Sequence, residues 1–243
     1  MEGRAVHEGS CAELDERWAR TPPARLARAA ILAGVFGPIL AYYTRRDHGG
    51  HERLRGLRGP VVFAANHSSH IDTPILLRAL PAPWRGRTVV AAAADYFYGR
   101  RSRAALVSLL FCTVPMRREG GGSGDLTHVD ELLDAGWSVL MYPEGTRRRD
   151  GGPVRLRSGA AVLAARHGVP IVPIHLAGTR TAMPPGQVWP RRRVWQPRHP
   201  VRVTFGEPIA LDDPARRHEA MERIEAFFAA QGGDRPEAHL TLA

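Results

Sequence analysis

Short apolar runs alternate with helical patterns from residue 59 onward, and this alternation limits the possible fold more than any other feature of the chain. Residues 126–133 carry leucine and valine at helical spacing, and residues 212–228 form a second amphipathic pattern. Six apolar runs have the length of buried strands: 61–65, 88–93, 112–116, 138–142, 171–175 and 201–205. Alternating strands and helices predict an α/β fold, layered, with a mostly parallel core sheet flanked by helices.

The most apolar segment lies near the amino terminus, at residues 29–43. It is shorter than the roughly 20 residues that a membrane-spanning helix needs. Arginines flank it on both sides, and Tyr42 and Tyr43 stand at its carboxyl end, where interfacial aromatic side chains anchor helices. We therefore predict an N-terminal interfacial apolar helix, straight or broken, with a buried core helix as the alternative.

The chain divides into two regions on this interpretation. Residues 1–48 form an N-terminal segment that contains the membrane-interface helix, and residues 49–243 form one α/β domain, for which the length is sufficient. An insertion at residues 183–200, rich in proline, arginine and tryptophan, belongs to neither a strand nor a helix pattern.

The chain has a formal net charge of +10, which predicts an anionic partner such as a nucleic acid, an anionic membrane surface or a phosphorylated substrate. Residues 189–195 interleave tryptophan with arginine, as proteins that bind single strands do. No recognised nucleic-acid motif accompanies them, so we expect no nucleic acid partner. The two cysteines, Cys11 and Cys112, are too few for a disulfide framework and favour a reducing compartment.

A histidine and an aspartate follow the first strand candidate, in the run Asn-His-Ser-Ser-His-Ile-Asp at residues 66–72. Open α/β sheets bind ligands at the carboxyl ends of their strands. If the turn is tight, the Asp72 carboxylate reaches one ring nitrogen of His67, and the other nitrogen can then take a proton from an alcohol. A structural role for the pair, and metal binding by His67, His70 and Asp72, remain open from these residues alone.

A second polar turn follows the strand candidate at 138–142, in the run Tyr-Pro-Glu-Gly-Thr-Arg at residues 142–147. Backbone amides near Gly145, the Thr146 hydroxyl and the Arg147 guanidinium suit a phosphate or a polyol, and those amides are also candidate oxyanion donors. An ordinary turn with a solvated arginine is the alternative. Arg117 ends another apolar run, and residues 169–174 read as a buried strand with two prolines.

In this order, the four pieces resemble the four conserved blocks of the glycerolipid acyltransferase family, typified by bacterial 1-acylglycerol-3-phosphate acyltransferases. Residues 66–72 match the Asn-His-x4-Asp block, and residues 142–147 match the Phe-Pro-Glu-Gly-Thr-Arg block with tyrosine in place of phenylalanine. Residues 114–117 and 169–174 match the second and fourth blocks. The similarity covers about residues 55 to 210.

The resemblance implies the residues of the site. His67 is the catalytic base and Asp72 its partner, whereas the acceptor is held by Arg117, Glu144, Gly145, Thr146, Arg147 and, more weakly, Arg157. Many members of the family carry a lysine before the acidic residue of a later segment, but this chain has alanines at 92–94 before Asp95. The insertion at 183–200 is a second departure and leaves the acceptor lipid open.

The resemblance also implies an activity: transfer of a fatty acyl group from acyl-CoA or acyl carrier protein to the free hydroxyl of a lysophospholipid, foremost 1-acylglycerol-3-phosphate. Another lyso-lipid or a glycolipid acceptor, a metal-dependent hydrolase and a basic nucleic-acid-binding protein are the alternatives. We expect no metal and no cofactor, because an oxygen nucleophile and a thioester need neither. The expected location is the cytoplasmic face of the cell membrane, as a peripheral or monotopic protein.

Overall fold

A computed structural model describes residues 17–93, 101–116, 126–145, 156–211 and 213–232 of the chain. Within these residues the strands form one seven-stranded sheet in the order β1-β7-β6-β2-β5-β3-β4. The strands are β1 Thr44–Gly49, β2 Val62–Ala65, β3 Thr88–Ala93, β4 Thr113–Met116, β5 Ser138–Met141, β6 Ile171–Ala177 and β7 His199–Phe205.

Five adjacent strands, from β6 to β4 in the sheet order, are parallel to one another. β7 is antiparallel to β6, and β1 pairs with β7 in parallel. The predicted fold class, a layered α/β fold with a mostly parallel core sheet flanked by helices, is therefore confirmed.

The helices cover both faces of this sheet. α1 runs from Pro22 to Tyr43 without a break. The others are α2 Asp72–Ala79, α3 Ala82–Arg85, α4 Arg101–Phe111, α5 Thr127–Asp134, α6 Gly159–His167, α7 Thr179–Ala182 and α8 Arg217–Ala230. Side chains alternate along β2, so that Val62 and Ala64 join the core beneath α5, α6 and α8, whereas Phe63 and Ala65 join the core shared with α1 and α2.

β1 is the strand that the sequence patterns miss. Its residues, Thr-Arg-Arg-Asp-His-Gly, are mostly polar, because it lies at an edge of the sheet and pairs on one side only, with β7. The boundary expected after residue 48 falls inside this strand.

α1 is longer than the predicted 15-residue segment, because the helix begins at Pro22 and includes Arg25 and Arg28. By length and composition it could cross a membrane, and 22% of its apolar stretch is buried inside the protein. Arg28 is buried because its guanidinium donates to the carbonyls of Ala19, Ser108 and Leu109 at 2.6–3.0 Å. The bonds to Ser108 and Leu109 therefore attach one side of α1 to α4.

α1 contains a π-helical turn at Leu32–Phe36. Arg78, at the end of α2, donates to the carbonyl of Leu32 at 2.6 Å, and the Phe36 and Phe111 rings lie 5.5 Å apart. Leu32 and Leu40 are buried in the same core as β2. The segment predicted as a straight or broken helix is thus one continuous helix with a local widening, and it is attached to α2, the helix that follows the His67 turn.

We predict that Gly50→Ala destabilises the protein more than Gly59→Ala. Both glycines have a φ near +80°, which costs other residues about 1–2 kcal/mol. A Cβ on Gly50 would lie 2.2 Å from the carbonyl oxygen of Phe205, whereas one on Gly59 would meet nothing within 4 Å. Overpacking adds about 1–3 kcal/mol at Gly50 alone.

Chemical denaturation of the two variants measures this difference in the free energy of unfolding. Equal losses in the two variants would contradict the close packing of residue 50 against β7.

Candidate active site at the carboxyl ends of β2 and β5

The two turns with functional residues follow neighbouring strands. β2 and β5 are paired in parallel, with Val62 opposite Val139 and Ala64 opposite Met141. Their carboxyl ends therefore lie at the same edge of the sheet, about 5 Å apart. The turn at residues 66–71 begins at one of these ends and the turn at residues 142–145 begins at the other.

Asn66 holds the first turn against the neighbouring strand β6. Its side-chain amide donates to the carbonyl of Leu176 at 2.9 Å and accepts from the Leu176 amide at 2.6 Å. The side chain thereby imitates a backbone pair at the point where β2 ends. These two bonds fix the residue that directly precedes His67 in the chain.

His67 and Asp72 form a hydrogen-bonded pair. Nδ1 of His67 lies 2.8 Å from Oδ2 of Asp72, and the Asp72 side chain is fully buried while that of His67 is 18% exposed. A carboxylate can only accept, so Nδ1 carries the proton. Nε2 is then the nitrogen with a free lone pair, which is the requirement for a general base.

The same carboxylate oxygen also closes the turn. Oδ2 of Asp72 accepts from the backbone amides of Ser68 at 2.7 Å and Ser69 at 2.8 Å. Asp72 is the first residue of α2, so its carboxylate also lies at the positive end of that helix. Charge-assisted bonds from three donors stabilise Oδ2, whereas Oδ1 is buried without a hydrogen-bond partner among the described residues.

Tyr142 links the second turn to the first. Its ring stacks on the His67 imidazole with centroids 4.1 Å apart and an interplanar angle of 21°. Its hydroxyl lies 2.8 Å from Oγ1 of Thr73, on α2. Burial, together with the negative charge of Asp72, raises the pKa of the Tyr142 phenol well above its ordinary value, so that the group stays neutral.

Gly145 and Arg157 are in close contact at the second turn. Gly145 has a φ of +70°, and a Cβ there would lie 2.8 Å from Nε of Arg157. The Arg157 amide donates to the carbonyl of Pro143 at 2.8 Å. Glu144, which directly precedes Gly145, is only 6% exposed, so its carboxylate lies inside the protein rather than in solvent.

The amide of Gly145 is not available as an oxyanion donor, although the sequence made it a candidate. It donates to the carbonyl of Tyr142 at 2.9 Å, which closes the turn. The Ser68 and Ser69 amides are bonded to Asp72 in the same way.

Three of the expected site residues, Arg117, Thr146 and Arg147, lie outside the described residues. Met116, which precedes Arg117, ends β4 at the same edge of the sheet. β4 is three strands from β2 in the sheet, a distance of about 14 Å.

The sequence patterns missed two contacts of the site. The first is the stack of Tyr142 on His67, and its only sequence signal is an aromatic residue directly after a buried strand. The second is the bond from the Ser69 hydroxyl to the carbonyl of Met183 at 2.8 Å, which ties the insertion at 183–200 to the His67 turn. Among the described residues, no group of three or more His, Cys, Asp or Glu side chains is arranged to hold a metal ion.

Comparison with known proteins gives a consistent family match. Residues 45–177, more than half of the chain, match the family model described as Acyltransferase. A chloroplastic 1-acyl-sn-glycerol-3-phosphate acyltransferase of Brassica napus is 29% identical over 165 residues, which cover 64% of this chain and 44% of that protein. One from Arabidopsis thaliana is 33% identical over 139 residues, which cover 56% of this chain and 37% of that protein. The chain thus matches less than half the length of these relatives.

A solved structure shares the fold. The crystal structure of the 1-acyl-sn-glycerophosphate acyltransferase from Thermotoga maritima matches with a TM-score of 0.60 at 19% identity, covering 91% of this chain and 85% of that chain. These matches confirm the resemblance that the four sequence blocks indicate.

We predict that Asp72→Ala changes the protonation pattern of the His67 ring. In the unaltered protein, Nδ1 carries the proton because it faces a carboxylate oxygen at 2.8 Å. Alanine in that place offers no acceptor, so the Nδ1–H tautomer loses the contact that favours it. Long-range ¹H–¹⁵N correlation spectra of the imidazoles measure the change.

His167 is the internal control, because its two nitrogens face Asp130 and Asp134 and the substitution does not touch them. A His67 signal that is identical in the two proteins would contradict the role of Asp72 in setting the tautomer.

Proposed function

The chain belongs to the acyltransferase family, and from this premise we propose that it transfers a fatty acyl group from a thioester to the free hydroxyl of a lysophospholipid. The acceptor favoured by its relatives is 1-acylglycerol-3-phosphate, which would give phosphatidic acid. The proposed donor is acyl-CoA or acyl carrier protein. Both donors are anionic, and the net charge of +10 favours either of them.

One observation carries the proposal: the hydrogen-bonded His67–Asp72 pair and the stacked Tyr142 ring bring the first and third family blocks into one site. The imidazole provides a base with a free Nε2. The loop that continues from Tyr142 carries the residues that suit a phosphate. A phosphorylated alcohol as acceptor requires both a base for its hydroxyl and an adjacent site for its phosphate.

The proposed reaction uses His67 twice. Nε2 takes the proton from the acceptor hydroxyl while that oxygen attacks the thioester carbonyl, forming a C–O bond and a tetrahedral oxyanion. The oxyanion collapses, the C–S bond breaks, and the thiolate receives the proton from Nε2. Asp72 stabilises the imidazolium in the interval and remains ionised throughout.

A covalent acyl-enzyme is not part of this mechanism. The Ser69 hydroxyl is committed to the carbonyl of Met183, and Ser68 is 1% exposed. Cys112 is buried at the start of β4, three strands from β2. None of these three side chains shares a hydrogen bond with His67 among the contacts of the described residues, as an activated nucleophile would.

We assign the acceptor's phosphate and glycerol to the second turn and its neighbours. Arg157 lies against Gly145 and is exposed to solvent, so it can contact a bound anion. Glu144 is buried and orients the turn from inside. The full proposed set is Arg117, Glu144, Gly145, Thr146, Arg147 and Arg157.

A different lyso-lipid or a glycolipid is the second candidate for the acceptor. The observation that favours it is the contact of the insertion with the His67 turn, through Ser69 and Met183. An element that is extra to the family pattern and adjacent to the base can alter the shape of the acceptor site. Mass spectrometry of products from a panel of acceptors, with one donor, distinguishes the candidates.

We further propose that the protein works on the cytoplasmic face of the cell membrane as a monotopic or peripheral protein. α1 exposes apolar side chains such as Leu26, at 73%, and Val35, at 50%, while Leu32 and Leu40 are buried in the core. A helix pinned to the domain by Arg28 and Arg78 lies along the domain rather than apart from it. Its exposed side therefore suits the interface of an anionic bilayer.

For the chemistry, we predict that His67→Ala lowers the rate of acyl transfer from acyl-CoA to 1-acylglycerol-3-phosphate by about 10²–10⁴-fold, because a positioned base contributes that much. The substituted protein keeps its fold, since Asp72 still accepts from the Ser68 and Ser69 amides. Steady-state rates and circular dichroism measure the two effects.

Ser68→Ala is the matched control in the same turn, and it retains near-normal turnover. Normal turnover in His67→Ala would refute the base assignment. Loss of turnover in Ser68→Ala, with trapped acyl-protein in the unaltered chain, would indicate a covalent route instead.

For the membrane, we predict that the double variant Leu26→Glu/Val35→Glu binds anionic vesicles at least about tenfold more weakly, because two apolar contacts are replaced by charges that the bilayer repels. Ala226→Glu/Ala230→Glu on the exposed side of α8 adds the same charge at a site that the proposal leaves in solvent. Vesicle cosedimentation measures both. Equal losses would show that net charge alone governs attachment.

A further inference from the structure

The insertion exposes an unusual amount of apolar surface. Four of the nine large hydrophobic side chains that are exposed in the described residues fall in residues 184–198, which we call the Trp-Arg loop. They are Val188 at 90%, Trp189 at 55%, Val194 at 76% and Trp195 at 79%. Holding such side chains in water is unfavourable by about 25 cal/mol per Å² of apolar surface, so their position calls for a partner.

The loop is held in this exposed shape by its own polar contacts. The Arg192 guanidinium donates to the carbonyls of Gln196 at 2.8 Å and Val194 at 3.3 Å. The Gln196 side chain accepts from the Arg193 amide at 3.1 Å, and His199 Nε2 lies 2.9 Å from the carbonyl of Arg191. These bonds hold the loop in a conformation in which Val194 and Trp195 are exposed to solvent.

The loop is also fastened to the carboxyl end of α1. The Trp189 indole N–H donates to the Tyr43 hydroxyl at 3.0 Å. The Arg192 guanidinium lies 4.9 Å from the centre of the Tyr42 ring and donates to the Tyr42 carbonyl at 3.0 Å. Tyr42 itself is 45% exposed. The apolar surface of the loop therefore continues the exposed surface of α1.

The charge of the loop identifies the partner. Arg191, Arg192, Arg193 and Arg198 give residues 184–198 a charge of +4, and the segment contains no acidic residue. Tryptophan and arginine together are typical of side chains at the headgroup level of an anionic bilayer. A stacking platform for nucleotide bases fits less well, because the Arg193 guanidinium lies 5.7 Å from the Trp195 ring centre and the Trp189 ring meets Tyr43 edge-on.

We propose that the Trp-Arg loop is a second membrane-docking element, which places Val188, Trp189, Val194 and Trp195 in the interfacial region of an anionic bilayer while its arginines contact lipid phosphates. The inference rests on the proposed function, because it assumes that the protein acts at a membrane. It adds that the loop sets the position of the active site relative to the bilayer. The link is Met183, just before the loop, whose carbonyl accepts from the Ser69 hydroxyl in the His67 turn.

This attachment gives docking a consequence for the reaction. α1 and the loop together contact the bilayer at two places, so the domain cannot rotate about the helix. The His67 turn is joined to the loop through Met183 and to α1 through α2 and Arg78. The site therefore meets the lipid surface in one orientation.

The test uses the full chain and vesicles of phosphatidylcholine with phosphatidylglycerol. Val194→Ser/Trp195→Ser should lower the vesicle partition coefficient at least about tenfold, since a buried tryptophan contributes a large apolar area. Trp195→Phe should retain most of the binding. Arg193→Gln should lower it about fivefold, whereas Arg217→Gln, on the exposed first turn of α8, leaves it unchanged.

A second measurement does not depend on how the serine variant folds. Lipids brominated near the headgroup should quench tryptophan fluorescence in the unaltered protein, and Trp195→Phe should remove a large part of that quenching. Quenching that is unchanged in Trp195→Phe, or a serine variant that binds vesicles like the unaltered protein, would overturn the assignment of the loop.

The outcomes also separate this inference from the proposed function. If the unaltered chain does not bind the vesicles, both the membrane proposal and the loop assignment fail. If it binds and the loop variants bind equally well, only the loop assignment fails. A loop variant that keeps vesicle binding but loses binding to single-stranded DNA or to acyl carrier protein would identify a different partner for the loop and overturn the inference.

Discussion

The Oδ2 atom of Asp72 accepts from three donors at once, and the geometry of the site depends on this. The His67 ring and the Ser68 and Ser69 amides all lie within 2.8 Å of it. Hydrogen bonds to a charged group contribute about 1.5–3 kcal/mol each, so these three counter part of the cost of burying a carboxylate whose Oδ1 has no hydrogen-bond partner among the described residues. Without that oxygen the turn loses its closure and the imidazole its orientation, so one atom joins the local fold to the chemistry.

The sheet supplies the second condition. Because β2 and β5 are adjacent and parallel, the turns that follow them emerge side by side, and Tyr142 can cover one face of the His67 ring. The stack limits rotation of the imidazole, and the Thr73 hydroxyl holds the Tyr142 hydroxyl in turn. Asn66, on the side of the turn away from Tyr142's strand, fixes the turn that contains His67 to β6. The base is therefore supported from three strands and one helix.

The parts of this arrangement that are local in sequence could be predicted, and those that are not local could not. His67 and Asp72 are five residues apart, so their bond follows from a tight turn alone. The Tyr142 stack joins residues 75 positions apart and depends on which strands become neighbours. The sequence does not predict β1, because a strand at the edge of a sheet does not need an apolar pattern. Amides near Gly145 are candidate oxyanion donors from the sequence, and the sequence does not reveal that the Gly145 amide itself is taken by the Tyr142 carbonyl, because turn closure leaves no trace in composition.

We propose that Nε2 of His67 faces the acceptor hydroxyl while the second turn holds the acceptor's phosphate. The most direct measurement is a crystal structure with 1-acylglycerol-3-phosphate bound and no thioester present. We expect the free hydroxyl at about 2.6–3.2 Å from Nε2 and the phosphate against residues 144–147. A lipid whose hydroxyl is out of hydrogen-bond reach of Nε2, with its phosphate on another face of the protein, would contradict it.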